Sequence, residues 1–254
     1  FTYFTDRDGK YQLLALSESG FDPLSRTTRF MLTEEAHHMF VGESGISRMI
    51  QRTCEVMAQH KTDDPAKLRA MGVVDLPTLQ KYLNFHYSVT SDLYGAEISS
   101  NAASFYTNGL KGRYEETKLG DDHRLDSAEY PVMEVTGDKI SIRHVPALTA
   151  LNERLRDDWV KDVQGGIDRW NKVPEKLGIP FRFALPHKGF HRKIGIFGEL
   201  HRSPEGRVIS EAEWTHQHRN WIPSSEDQAF VQSLMGRVVE PGKFANWIAP
   251  PLRG

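Results

Sequence analysis

The sequence predicts a mainly α-helical protein. Apolar residues recur at helical spacing over long stretches, Gly/Pro/Asp/Ser clusters punctuate those stretches, and strand-like alternation is confined to short segments. Each element follows from a local signal.

Residues 1–17 can form a helix, opening on the rigid apolar run Phe1-Thr2-Tyr3-Phe4 and weakened at Gly9 by about 1 kcal/mol relative to alanine. The run Ser17-Glu18-Ser19-Gly20-Phe21-Asp22-Pro23 is a turn, with Gly20 suited to a C-cap, Asp22 to an N-cap and Pro23 to the first helical position. A long helix is expected from about 23 to about 59, with Phe30, Met31, Phe40, Val41, Ile46, Met49, Ile50, Cys54 and Met57 at helical spacing. Asp75 and Pro77 open a further helix to about 94, and a shorter one covers roughly 96–107. Residues 108–130 are polar and turn-rich. Residues 132–142 alternate around Gly137-Asp138 and read as a β-hairpin. A helix from about 147 to 174 is expected to be interrupted at Gly165-Gly166, and 178–208 to hold short strand-like pieces. Residues 209–236 read as helical around Pro223, and the tail from Pro241 as irregular. The division expected is a helical portion over 1–107 and a mixed helical and hairpin region over 108–254.

Composition bounds the function. A formal net charge of −2 gives no drive towards nucleic acid or a lipid surface. No apolar run approaches the ~20 residues that span a bilayer. The single cysteine, Cys54, excludes an internal disulfide framework and suits a reducing, cytoplasmic setting.

The informative string is Thr33-Glu34-Glu35-Ala36-His37-His38. Glu35 and His38 are three apart and share one helix face. Carboxylate oxygen plus imidazole nitrogen is a donor set for redox-active iron, and Glu-x-x-His is the element that di-iron bundles project into their core. The pattern alone is common on solvated helices. Its context raises it: with the turn centred near Phe21, Asp6 lies 15 residues before the bend and Glu35 lies 14 after it. Both then stand roughly 21–23 Å from the turn, which brings Asp6 level with Glu35 across an antiparallel hairpin. Glu213 and His216 repeat the spacing, but no acidic residue occurs between Glu175 and Glu199 and no hairpin partner stands at matching height. Glu34 is a candidate acceptor for the free imidazole N–H of a metal-bound histidine. His37, rotated about 100° from His38, reads as a helix–helix hydrogen-bonding residue. Gly42 and Gly45 continue the ligand face, leaving room for oxygen or substrate or allowing close helix packing.

The Asp6 to Glu35-Ala36-His37-His38 arrangement resembles the ferritin-like di-iron oxygenases, and among them the oxygenase components of the benzoyl-CoA 2,3-epoxidases. Phe105-Tyr106-Thr107-Asn108 and Phe244-Ala245-Asn246-Trp247-Ile248-Ala249 add weaker similarity. The aspartate at Asp6 favours that group, since most di-iron oxygenases carry glutamate there. Lys10 stands where some multicomponent monooxygenases place a threonine, which argues against a threonine proton relay.

The resemblance implies the C-terminal half of a ferritin-like di-iron bundle, beginning inside the third ligand helix, with additional helices and a hairpin-containing C-terminal region. Asp6, Glu35 and His38 would supply half the ligands of two Fe ions, and an N-terminal portion of the same chain the other half. It further implies O2 and benzoyl-CoA as substrates, 2,3-epoxybenzoyl-CoA as product, and electrons from NADPH through a separate reductase component. Phosphates of CoA call for basic side chains, for which Lys111, Arg113, Lys118, Arg192 and Lys193 in loops are candidates. A ferritin-like storage or ferroxidase protein and a metal-free structural hairpin are the rival readings. The roughly 190 residues beyond the ligand helix exceed what a storage bundle needs.

Overall fold

The computed structural model describes residues 1–113, 128–137 and 139–236. It is mainly helical, with a small antiparallel hairpin. Helix α1 spans Thr2–Ser17, α2 Asp22–His60, α3 Pro65–Ala70, α4 Leu76–Leu93 and α5 Ser100–Thr107. Strands β1 (Glu129–Thr136) and β2 (Lys139–Pro146) pair from Glu129↔Pro146 to Thr136↔Lys139. Helix α6 covers Leu151–Lys176, strands β3 (His201–Arg202) and β4 (Val208–Ile209) form a second pair, and α7 (Glu211–Trp221) and α8 (Ser225–Ser233) follow. No described helix is long and apolar enough to cross a membrane.

The α1–α2 turn uses different residues from those its sequence marks. Glu18 is the C-cap of α1 and Phe21 the N-cap of α2, with Asp22 inside the first turn. Gly20 serves a close approach instead: its N–H donates to Gly109 O at 2.7 Å, and a Cβ there would stand 3.2 Å from that oxygen. Elsewhere the caps match their signals. Asp75 accepts from Thr78 N at 2.8 Å, and Ser224 with Asp227 closes a capping box after Pro223 has ended α7.

Helix α6 runs unbroken through Gly165-Gly166. Gly166 is there for packing: a Cβ on it would lie 1.8 Å from Tyr3 Oη, and that hydroxyl donates to Val163 O at 2.9 Å. Trp159 Nε1 donates to Phe4 O at 3.2 Å, so α1 is fastened along α6. One hydrophobic core joins Tyr3 and Phe4, Ile50, Cys54 and Met57, Leu83 and Tyr87, Trp159 and Ile167, and Phe183.

The apolar positions of α2 divide into two sets. Ile50, Cys54 and Met57 enter this core, whereas Phe30 and Phe40 are 72% and 68% exposed and Met31, Val41 and Met49 are also exposed. The described residues leave the first two-thirds of α2 largely uncovered.

Candidate metal centre

Asp6 on α1 and Glu35 and His38 on α2 converge. Each offers a ligand atom, and the three atoms lie within 4.8 Å of one another, the one such group among the described residues. His38 Nδ1 stands 3.8 Å from Glu35 Oε2. The side chain of Glu35 is mostly buried and that of His38 half-exposed.

The axial match differs in detail from the sequence estimate. A Cβ on Gly42 would stand 2.6 Å from Tyr3 N, so these residues are level across the hairpin. Counting inward, Asp6 is level with Met39, next to His38 and one turn, roughly 5–6 Å, from Glu35. The lengths of the side chains close that difference.

The electrostatics fit a cation. Glu35 Oε2 is buried without a hydrogen-bond donor, an arrangement that costs about 1–3 kcal/mol unless a positive charge or a donor reaches it. Burial first, and the negative Asp6 second, push the Glu35 carboxyl above its ordinary value, while His38 opposes the rise. Two carboxylates and an imidazole, one oxygen lacking a donor, form a donor set suited to a hard or borderline divalent metal such as iron.

Other marked residues fall variously. Glu34 and His37 are exposed, and neither hydrogen-bonds a neighbouring helix among the described residues. Lys10 donates to Asp162 Oδ2 on α6 at 3.0 Å. Gly42 opens onto no space; the Tyr3 backbone covers it, which corrects its reading as room for substrate, whereas Gly45 has nothing within 4 Å of its Cβ position. Arg192 is buried, not a free loop cation. It pairs with Asp92 and with Glu97 Oε1 at 3.2 Å, and Arg156 approaches the same oxygen at 3.4 Å. Glu97 Oε2 also accepts from Ile196 N at 2.9 Å, and a Cβ on Gly195 would fall 2.0 Å from that oxygen. Lys193 is exposed, and its backbone N–H donates to Asp92. Lys111 and Arg113 line a cavity of about 650 Å³ whose walls carry Arg154 and Lys161 but also the acids Glu129, Asp158 and Asp162. Lys118 and the segment 244–249 lie outside the described residues. In the second Glu-x-x-His, Glu213 pairs with Arg207 and His216 is exposed on α7.

Sequence reasoning passed over three charged residues around the site. Arg7 and Asp8 are buried on α1 beside Asp6, and Glu43 lies two turns beyond Glu35. Burial pushes the Asp8 carboxyl up to about 6, and the nearby Tyr94 and Gln12 side chains only partly oppose the rise. Charged residues recurring on the apolar face of α1 were the available signal.

No family model matches the chain. Over all 254 residues it is 74% identical to a protein from Aromatoleum evansii named Benzoyl-CoA oxygenase component B. The chain spans about half the length of that curated relative, 54% of it.

Proposed function

We propose that the chain is part of the oxygenase component of a benzoyl-CoA-oxidising system in the cytoplasm, and that it carries half of a di-iron site. The observation that carries this reading is the convergence of Asp6, Glu35 and His38 around an orphaned carboxylate oxygen. The near relative's name supplies the substrate. Asp6, Glu35 and His38 would hold iron, and the remainder of the full-length protein would contribute a glutamate and a second Glu-x-x-His on two helices of a ferritin-like bundle. Those helices would cover Phe30, Met31, Phe40 and Val41, and with them Glu34 and His38.

When bound, the iron pair would supply dioxygen activation: with two electrons from NADPH, delivered by a separate reductase, and two protons, one oxygen atom would enter the benzoyl-CoA ring as the 2,3-epoxide and the other would leave as water. The chain's own part is to fix two carboxylates and one imidazole at a common point and to shield Glu35 from water. Lys111 and Arg113, at the 650 Å³ cavity, are placed to meet phosphates of the CoA portion.

The test is chemical. Full-length protein with its reductase, NADPH, O2 and benzoyl-CoA should consume O2 and yield the epoxide, and should contain two irons. Iron-loaded protein that oxidises only free Fe(II) and leaves the ring untouched would replace this reading with a ferroxidase.

A further inference from the structure

We propose that Arg7 and Glu43 form a positioning pair that fixes the register of α1 on α2 and so holds Asp6 against Glu35 and His38. The inference rests on the metal reading above. Polar ties between these two helices bracket the site. At the turn end, Ser25 Oγ donates to Ser17 O at 2.6 Å and Arg29 Nη2 to the same oxygen at 3.2 Å. Beyond the site, Arg7 Nη2 donates to Glu43 Oε2 at 2.8 Å. The covalent turn already fixes the first end. The second end depends on the ion pair and on the Gly42–Tyr3 contact, which sets separation more than height.

The pair is itself held rigid by α6. Arg7 Nε lies 3.2 Å from Asp162 Oδ1, while Arg169 grips Glu43 with Nε at 2.5 Å and Nη2 at 2.8 Å. The ring of Tyr3 covers the Arg7 guanidinium at 4.4 Å, and Trp170 Nε1 donates to Glu43 O at 3.3 Å. A planar guanidinium held by one hydrogen bond to Glu43 on α2 and an ion contact to Asp162 on α6 resists sliding, which one flexible ammonium does not. A slip of one turn would move Asp6 by about 5.4 Å and dismantle the site.

The experiment uses the full-length protein stripped of iron, with cobalt(II) alone as the probe, and reads affinity and visible absorption well below each variant's unfolding temperature. Arg7→Met and Glu43→Gln should weaken cobalt binding by about 10- to 100-fold and change the spectrum of the bound ion. Arg7→Lys should recover part of the affinity. Parental affinity and spectrum in both variants, with only a lowered Tm, would overturn the proposal. If Arg7→Met does not fold, the more exposed Glu43→Gln decides alone. His38→Ala separates the two readings: parental cobalt affinity there defeats the metal site itself, whereas its loss beside intact Arg7→Met and Glu43→Gln sites defeats only the positioning pair.

Discussion

The carboxylate of Glu35 rests against Gly9: a Cβ at that glycine would stand 3.4 Å from Glu35 Cδ and 3.5 Å from each carboxylate oxygen. Gly9 therefore weakens α1 locally yet seats a metal-ligand candidate. A methyl group fits at ordinary contact distance and anything larger does not. Gly9→Ala should keep iron and gain up to about 1 kcal/mol of stability from helix propensity. Gly9→Leu should displace the carboxylate and lower iron per chain while leaving a cooperative melt. Iron analysis with thermal unfolding checks both, and full iron content in Gly9→Leu would refute the seating role.

His38 offers the one nitrogen of the Asp6–Glu35–His38 group. Its replacement by alanine in the full-length protein should abolish iron retention and ring oxygenation while costing at most a few kcal/mol of stability. His216→Ala on α7 should keep iron near wild type. A reversal of the two results would mean that the wrong Glu-x-x-His has been chosen.

The neighbouring glycines of α6 should respond with opposite signs. Gly166→Ala drives a methyl into Tyr3 and should destabilise by about 2–4 kcal/mol, combining overpacking with loss of the Tyr3–Val163 hydrogen bond. At Gly165 the nearest atom is the far end of Arg169, 3.5 Å away, and alanine should be neutral or stabilising by up to about 1 kcal/mol. Denaturant unfolding of the two variants gives the comparison.

Acid should weaken the fold through two neutral histidines. Burial lowers both His86 and His191 from 6.5 to about 4. Between those values the unfolded chain binds protons that the folded histidines refuse, so their contribution to stability falls as pH drops from about 6.5 towards 4, while Asp8, raised to about 6, opposes the loss below that value. Each histidine contributes roughly 1–3 kcal/mol to that loss. His191 has φ +53, which asparagine tolerates, so His191→Asn should flatten part of the slope without backbone strain. An unchanged pH slope in that variant would rule His191 out as a source.

The helices were legible because periodicity and caps are local. The α1–α2 hairpin, its Glu-x-x-His and the partnering acid could be placed by counting residues from Phe21. The one-turn offset of Asp6 could not, since the level of α1 on α2 shows only in the approach of Gly42 to Tyr3, residues 39 apart. Gly165-Gly166 misled for the same reason: local propensity marks a break, while the reason for Gly166 sits on another helix. Arg192 looked like a loop cation because its partners, Asp92 and Glu97, are about a hundred residues away. Long-range partnership is what a single sequence hides.

Glu97 answers to Arg156, Arg192, Ile196 and Gly195 at once. Aspartate would be too short to reach them, glutamine would leave two guanidiniums undercompensated, and any side chain at Gly195 would evict the carboxylate. No single substitution at these positions is neutral by its own chemistry. Lineages of this fold should therefore inherit Glu97, Arg156, Arg192 and Gly195 as a block, and where one has changed the others should have changed with it.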